Sequence, residues 1–213
     1  MHNTPKWLTN KPVLYWKLVE GNVPSKRKVM TKKVLVPIAN GTEEIEAVSI
    51  IDTLRRSGAE VTVASVEATL MVTASRGTKL VADISIAECA DEIYDCIAIP
   101  GGMPGAEHLR DCEILTALLH AQRDAGRLYS AICAAPVVVL QHHGLLAGRT
   151  ATCHPSFVSQ IVNPVHVEKR VVVDGNCITS RGPGTAIEFA LALIEVLYGA
   201  EKAREIGQQM LVK

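Results

Sequence analysis

From Lys32 onward the chain alternates short, unbroken apolar runs with stretches of helical periodicity, and few architectures accept that alternation. Val34-Leu35-Val36-Pro37-Ile38, Val61-Thr62-Val63-Ala64-Ser65-Val66 and Cys96-Ile97-Ala98-Ile99-Pro100 lack a regular polar face. Runs of this kind suit strands covered on both sides, as in a parallel sheet. Between them, Glu43 to Ser57 has helical periodicity and stops at Gly58, and Glu113 to Ala125 is closed by Gly126. Residues 69–82 read as a hairpin excursion around Ser75-Arg76-Gly77. Downstream, a strand runs from Leu128 into Cys133, and a helix from Val137 to His142 is closed by Gly144. Thr150-Ala151-Thr152-Cys153 is a further strand candidate. Val171–Val173 and Cys177–Thr179 form a hairpin across Asp174-Gly175-Asn176, followed by helices from Thr185 to Leu197 and Glu201 to Leu211. The expected fold is α/β: a single flavodoxin-like, doubly wound domain with a mostly parallel sheet and helices on both faces.

The domain spans residues 30–213. Residues 1–29 form an N-terminal extension of different composition, holding Lys6, Lys11, Lys17, Lys26, Arg27 and Lys28 against Glu20 alone, with both tryptophans, Trp7 and Trp16. It reads as an arm packed on the domain, a targeting segment, or sequence upstream of a natural start at Met30, and the first and last are favoured. Its apolar stretch Val13–Val19 is too short and interrupted for a membrane span or a signal core, and a transit peptide would be richer in arginine and serine. Over the whole chain the 22 basic residues equal the 22 acidic ones, so no basic field points to a specific nucleic-acid partner. Cys89, Cys96, Cys112, Cys133, Cys153 and Cys177 are scattered without a C-x-x-C pair, which suits reduced thiols in a cytoplasmic protein. Cys153-His154 has no second pair at ligand spacing, so no metal site is expected, and nothing points to a cofactor.

In doubly wound sheets ligands bind beyond the carboxyl ends of the strands. Four such ends carry chemistry: Gly41 with its glutamates, Gly101-Gly102, Cys133, and Cys153-His154. Cys133 sits where small apolar residues lead out of a strand and Pro136 opens the next segment, the pattern of a sharp strand-to-helix turn. At a helix N-terminus a thiol pKa falls from about 8.5 into roughly the 3.5–7.5 range, and the thiolate is the nucleophile. The alternative is a small buried core residue.

In the helix from Glu43, the stripe Ala47, Ile50, Ile51 and Leu54 is apolar, and Glu46 lies on its edge. A carboxyl there must pair or stay protonated. A neutral Glu46 donating a hydrogen bond to a Cys133 thiolate is the consistent arrangement, with an ion pair to an arginine as the alternative. Glu43 and Glu44 are expected to face water in the first turn. After the Pro-Gly-Gly turn, the backbone N–H of Gly102 and that of Ala134 suit an oxyanion hole, with Gly101 beside them. His154 is a candidate general base or acid. Arg55, Arg56 and Arg76 are secondary candidates for holding an anion.

Jointly, Gly41-Thr42-Glu43-Glu44-Ile45-Glu46, Asp52-Thr53-Leu54-Arg55-Arg56-Ser57-Gly58, Pro100-Gly101-Gly102, Ala131-Ile132-Cys133-Ala134-Ala135-Pro136 and Thr179-Ser180-Arg181-Gly182-Pro183-Gly184-Thr185 resemble the DJ-1 branch of the ThiJ/PfpI superfamily, the parkinsonism-associated deglycase group and its bacterial YajL relatives. The resemblance runs from about Lys32 to the C-terminus. It implies a flavodoxin-like homodimer with Cys133 as an oxidisable nucleophile, Glu46 as its acidic partner, His154 nearby, and oxyanion donors at Gly102 and Ala134. It also implies small carbonyl substrates, or glycated proteins and nucleotides: glutathione-independent conversion of methylglyoxal to lactate, deglycation, and protection from oxidative stress. A redox-sensing chaperone whose cysteine becomes a sulfinate is the alternative role. Two departures exclude neighbouring groups. Ala134 stands where PfpI-type proteases carry histidine after the cysteine, and Ser156 follows His154-Pro155 where glutamine amidotransferases carry glutamate.

Overall fold

Val34, Val36 and Ile38 point to one side of strand β1 (Lys33–Ile38) and Leu35 to the other, and all four are fully buried. That explains the unbroken apolar run: a strand dry on both faces has no polar alternation. The computed structural model describes residues 31–212; the extension at 1–29 and the Met30 start lie outside them. Parallel pairing joins β1 to β2 (Glu60–Ser65) and β6 (Cys96–Ile99), β2 to β5 (Ile84–Ser85), and β6 through β7 (Leu128–Ile132) to β9 (Cys177–Ser180). Strand β8 (Val171–Asp174) closes the edge antiparallel to β9, giving the order β5-β2-β1-β6-β7-β9-β8. The short hairpin β3 (Met71–Thr73) and β4 (Lys79–Val81) stands outside this sheet. The mostly parallel, doubly wound α/β fold is therefore as expected.

Helices α1 (Glu44–Arg56), α4 (Ala186–Tyr198) and α5 (Ala200–Gln209) cover one face, where Ile50, Leu54, Phe189, Leu193 and Ile206 pack on Val34, Val36 and Ile38. Helices α2 (Gly105–Arg110) and α3 (Glu113–Asp124) cover the other, with Leu109, Leu115 and Leu119 against Leu35, Ile97 and Tyr129. α1 starts where the Glu43 carboxylate accepts the Glu46 N–H at 2.7 Å and stops where the Ser57 hydroxyl folds back onto the Leu54 carbonyl.

Three local expectations need correction. Residues 150–153 form no strand. Both edges of β9 are already taken by β7 and β8, so the segment's N–H groups turn to side chains instead: Thr150 donates to Asp174 Oδ2 at 2.7 Å and Thr152 to Thr179 Oγ1 at 2.9 Å. The segment from Pro136 to Gln141 is π-helical and contains three successive valines. The last helix ends at Gln209, and α2, six residues behind Pro104, carried too little periodicity to be foreseen. Among the described residues no helix is long and apolar enough to cross a membrane.

Candidate active site

Because the strands run parallel, the turns after β1, β6 and β7 emerge at one edge of the sheet. Cys133 follows the last residue of β7 and adopts φ +67°, a conformation that a non-glycine residue seldom takes. Such strain belongs to functional turns and swings the side chain out of the sheet. Its backbone is fixed at both ends, since Cys133 N–H donates to Ser180 and the Cys133 carbonyl accepts the His154 N–H at 2.8 Å.

Glu46 reaches this thiol from the buried side of α1. It is fully buried, its Oε2 accepts the Gly101 N–H at 2.7 Å, and its Oε1 has no hydrogen-bond partner among the described residues. Burial pushes the Glu46 carboxyl up to about 7, against the opposing pull of the Gly101 N–H and the Cys133 thiol. Burial first, and then the Glu46 charge, push the Cys133 thiol up to about 12, while the amides of Gly102 and Ala134 pull it down. The lowered thiol pKa read from the helix-start pattern is thus corrected: the thiol is enclosed and faces an acid. The two groups share protons as a pair. One proton leaves near 7, and the second is held far into the alkaline range because two buried anions in contact repel.

The Gly101-Gly102 turn is pressed between these groups. A Cβ on Gly101 would come within 2.6 Å of Cys133 Cβ and 3.0 Å of Glu46 Oε2. Gly102 has φ +93° and lies so close to the Glu43 N–H that a Cβ has no room. Only glycines let the main chain pass there and leave the Gly102 amide facing the sulfur.

Cys133 opens into a cleft of about 300 Å³ lined also by Glu43, Ser75, Arg76, Gly102, Met103, Ala134, His154, Ser156, Phe157 and Pro183. His154 Nδ1 accepts the Ser156 N–H at 3.2 Å, so the neutral ring carries its proton on Nε2. The structure therefore brings together Cys133, Glu46, Gly101, Gly102, Ala134 and His154. Arg76 joins them at the mouth. Arg56 and Arg55 do not: Arg56 pairs with Asp52 at 2.6 Å and Arg55 with Asp83 at 3.0 Å, both at the exposed end of α1. They fail as anion holders in this chain because acids nearby already answer them.

Glu43, Met103 and Phe157 were missed by the sequence reading. Glu43 had a signal, the spacing Glu43-x-x-Glu46 of a helix cap, and its carboxylate caps α1 rather than pointing idly to water. Glu44 is also occupied, accepting Ser75 Oγ and the Arg76 N–H, which ties the β3–β4 hairpin to α1. Among the described residues, no cluster of three or more His, Cys, Asp or Glu side chains is placed to hold a metal ion.

A thiol on a strained strand end, beside a buried acid and two backbone amides in a doubly wound sheet, defines the class of α/β proteins with a cysteine at a nucleophile elbow. The chain belongs to the DJ-1/PfpI family, whose model matches residues 32–196. It is 49% identical over 182 residues to "Protein DJ-1 homolog B" of Arabidopsis thaliana, covering 85% of this chain and 42% of that protein. The chain thus spans less than half the length of that relative. It is 37% identical over 175 residues to "Glutathione-independent glyoxalase DJR-1.2" of Caenorhabditis elegans, covering 81% and 91% of the two chains. The solved structure "Toxoplasma gondii DJ-1, oxidized" superposes with a TM-score of 0.83 at 57% identity, covering 85% of this chain and 98% of that one.

Proposed function

We propose that this protein is a glutathione-independent glyoxalase that turns methylglyoxal into lactate on Cys133. The observation that carries the reading is the thiol itself, at φ +67° beside a buried carboxyl near 7 and facing the Gly102 and Ala134 amides. Loss of one proton from the pair near 7 leaves a single negative charge between Glu46 and Cys133; in the reactive arrangement Glu46 keeps the remaining proton and the charge is on the sulfur, where the two amides solvate it. Sulfur attacks the aldehyde carbon, and the new oxyanion takes the Glu46 proton to give a hemithioacetal, leaving Glu46 a carboxylate. Glu46, with His154, takes the proton from that carbon and returns one to the neighbouring ketone carbon. The product is a 2-hydroxyacyl thioester on Cys133. Water then cleaves it, releasing lactate and restoring the thiol. Every bond broken is matched by one formed, and no cofactor enters. The relative named a glutathione-independent glyoxalase supports this reading.

Deglycation is the same attack on an early aldehyde adduct of an amine or thiol, and it would protect proteins and nucleotides under oxidative and carbonyl stress. A second reading is favoured by the relative described as oxidized: Cys133 acts as a sensor, oxidised by peroxide to a sulfinate that a neutral Glu46 hydrogen-bonds. A homodimer fits the exposed apolar side chains Ile45 and Val48 on α1 and Met71 and Val81 on the hairpin that Glu44 ties to it. Cytoplasmic localisation belongs to the same proposal. Rapid quenching with methylglyoxal, followed by peptide mass analysis, tests the covalent step. A single adduct on the Cys133 peptide is expected, and lactate accumulating while Cys133 stays unmodified would overturn it.

A further inference from the structure

Beyond His154 the catalytic cleft meets a second one, of about 280 Å³, lined by His154, Pro155, Arg170, Arg181 and the turn from Gly182 to Thr185. His154 and Pro183 line both clefts. Two guanidinium groups line the second, and their circumstances differ. Arg170 is answered: it clamps Glu188 through Nε and Nη2, at 2.7 and 2.8 Å, and donates to the Gly184 carbonyl at 2.6 Å. Arg181 is not. It is half-buried, its side chain makes one hydrogen bond, from Nη1 to the Glu168 carbonyl at 3.2 Å, and among the described residues it makes no salt bridge. Its Nε is sealed from solvent and has no acceptor among the described residues.

A half-buried cation with an orphaned donor is a costly arrangement, because both the charge and the N–H have given up water. Guanidinium groups in such settings normally meet a carboxylate, and here none is supplied. The polar groups of the neighbouring turn are engaged with one another: Thr185 Oγ1 accepts the Arg181 and Gly182 N–H groups, and the Ser180 hydroxyl donates to the Arg170 carbonyl. The uncompensated positive charge of this cleft therefore sits on Arg181, one wall away from the reacting thiol.

We propose that the Arg181 cleft is an oxyanion subsite that receives the carboxylate or phosphate of a carbonyl substrate whose aldehyde lies at Cys133. The inference rests on the glyoxalase reading and narrows it: the preferred substrates are 2-oxoaldehydes, or adducts of them, that carry an anionic tail, rather than methylglyoxal itself. His154 stands between tail and aldehyde, so a tail fixed on Arg181 also fixes the carbonyl against the imidazole.

Two measurements on the full chain decide it. The first titrates the Arg181 Nε–Hε NMR signal, assigned by its loss in Arg181→Lys, with propionate and, separately, with inorganic phosphate. The subsite predicts a saturable shift at millimolar concentration, and the anion that shifts it more names the tail. The second compares kcat/KM for 4,5-dioxopentanoate and for 3-phosphooxy-2-oxopropanal with that for methylglyoxal, in wild type and in Arg181→Gln. Selectivity for the anionic substrate falls about tenfold or more in the variant, through KM, and Arg181→Lys restores part of it. No saturable shift, with equal losses on charged and neutral aldehydes, overturns the subsite. Wild type that converts none of the three aldehydes overturns the glyoxalase reading instead, and the titration still decides whether Arg181 binds an oxyanion.

Discussion

Glu46 and Cys133 face one another in the site, and their protonation is coupled. Glu46 was legible in the sequence because helical spacing put it on the edge of a buried stripe, and it is fully buried. The protonation behaviour of Cys133 was not legible, because it depends on enclosure beside Glu46 and the Gly101 turn, which no local pattern carries. The folded pKa of Glu46 lies above its unfolded value of 4.5, so the folded state holds that proton more tightly than the unfolded chain. Stability contributed this way is fully present below about 4.5 and is lost as pH rises to about 7, an order of 3 kcal/mol in total. Glu46→Gln removes the titration. Denaturant unfolding at pH 4.5 and at pH 8 is expected to favour the variant by about 3 kcal/mol more at the higher pH. Alkylation of Cys133 by iodoacetamide should rise through about pH 7 in wild type, tracking the first proton lost by the pair. A rise only in the far alkaline range would place that first charge on Glu46 alone.

At the scale of elements, the site is made by turns that follow strands, and their close packing is the constraint. Ala at 101 would drive its methyl to 2.6 Å from Cys133 Cβ, so Gly101→Ala must move either the elbow or α1. A loss of about 1–3 kcal/mol in stability and more than about tenfold in turnover is expected. Gly207→Ala in α5 is the control. Its nearest neighbour would be Leu191 Cδ1 at 3.5 Å, an ordinary contact, and a helical Gly→Ala exchange stabilises by about 0.5–1 kcal/mol. Equal behaviour of the two variants would show that the glycine turn does not position the site. Strands β1, β6 and β7 could be read directly, since both of their faces are dry. Segment 150–153 misled because its two threonines have strand propensity, yet whether a strand forms there depends on a free edge of β9, which is a property of the whole sheet.

For the molecule as a whole, the parallel sheet and its two covered faces followed from the alternation in the sequence. The cations around the site did not. Arg55, Arg56, Arg76 and Arg181 look alike in sequence, and only the positions of Asp83 and Asp52 show that the first two are spent. Surface apolar residues tell the same story: Val48 is 49% and Val81 68% exposed, a placement invisible to composition. If that face pairs two copies, Val48→Glu buries a charge at the interface. Light scattering on the eluted protein should then give a dimer for wild type and a monomer for the variant, with unchanged circular dichroism. A wild-type monomer would contradict the assignment of this face.

The proposed function stands or falls on whether Cys133 performs carbonyl chemistry without glutathione. Lactate formation from methylglyoxal, by purified wild type and by Cys133→Ser in glutathione-free buffer, tests it most directly. Steady turnover is expected in wild type, with a loss of at least about a hundredfold in the variant. Equal lactate from both proteins, or none from wild type, would contradict it.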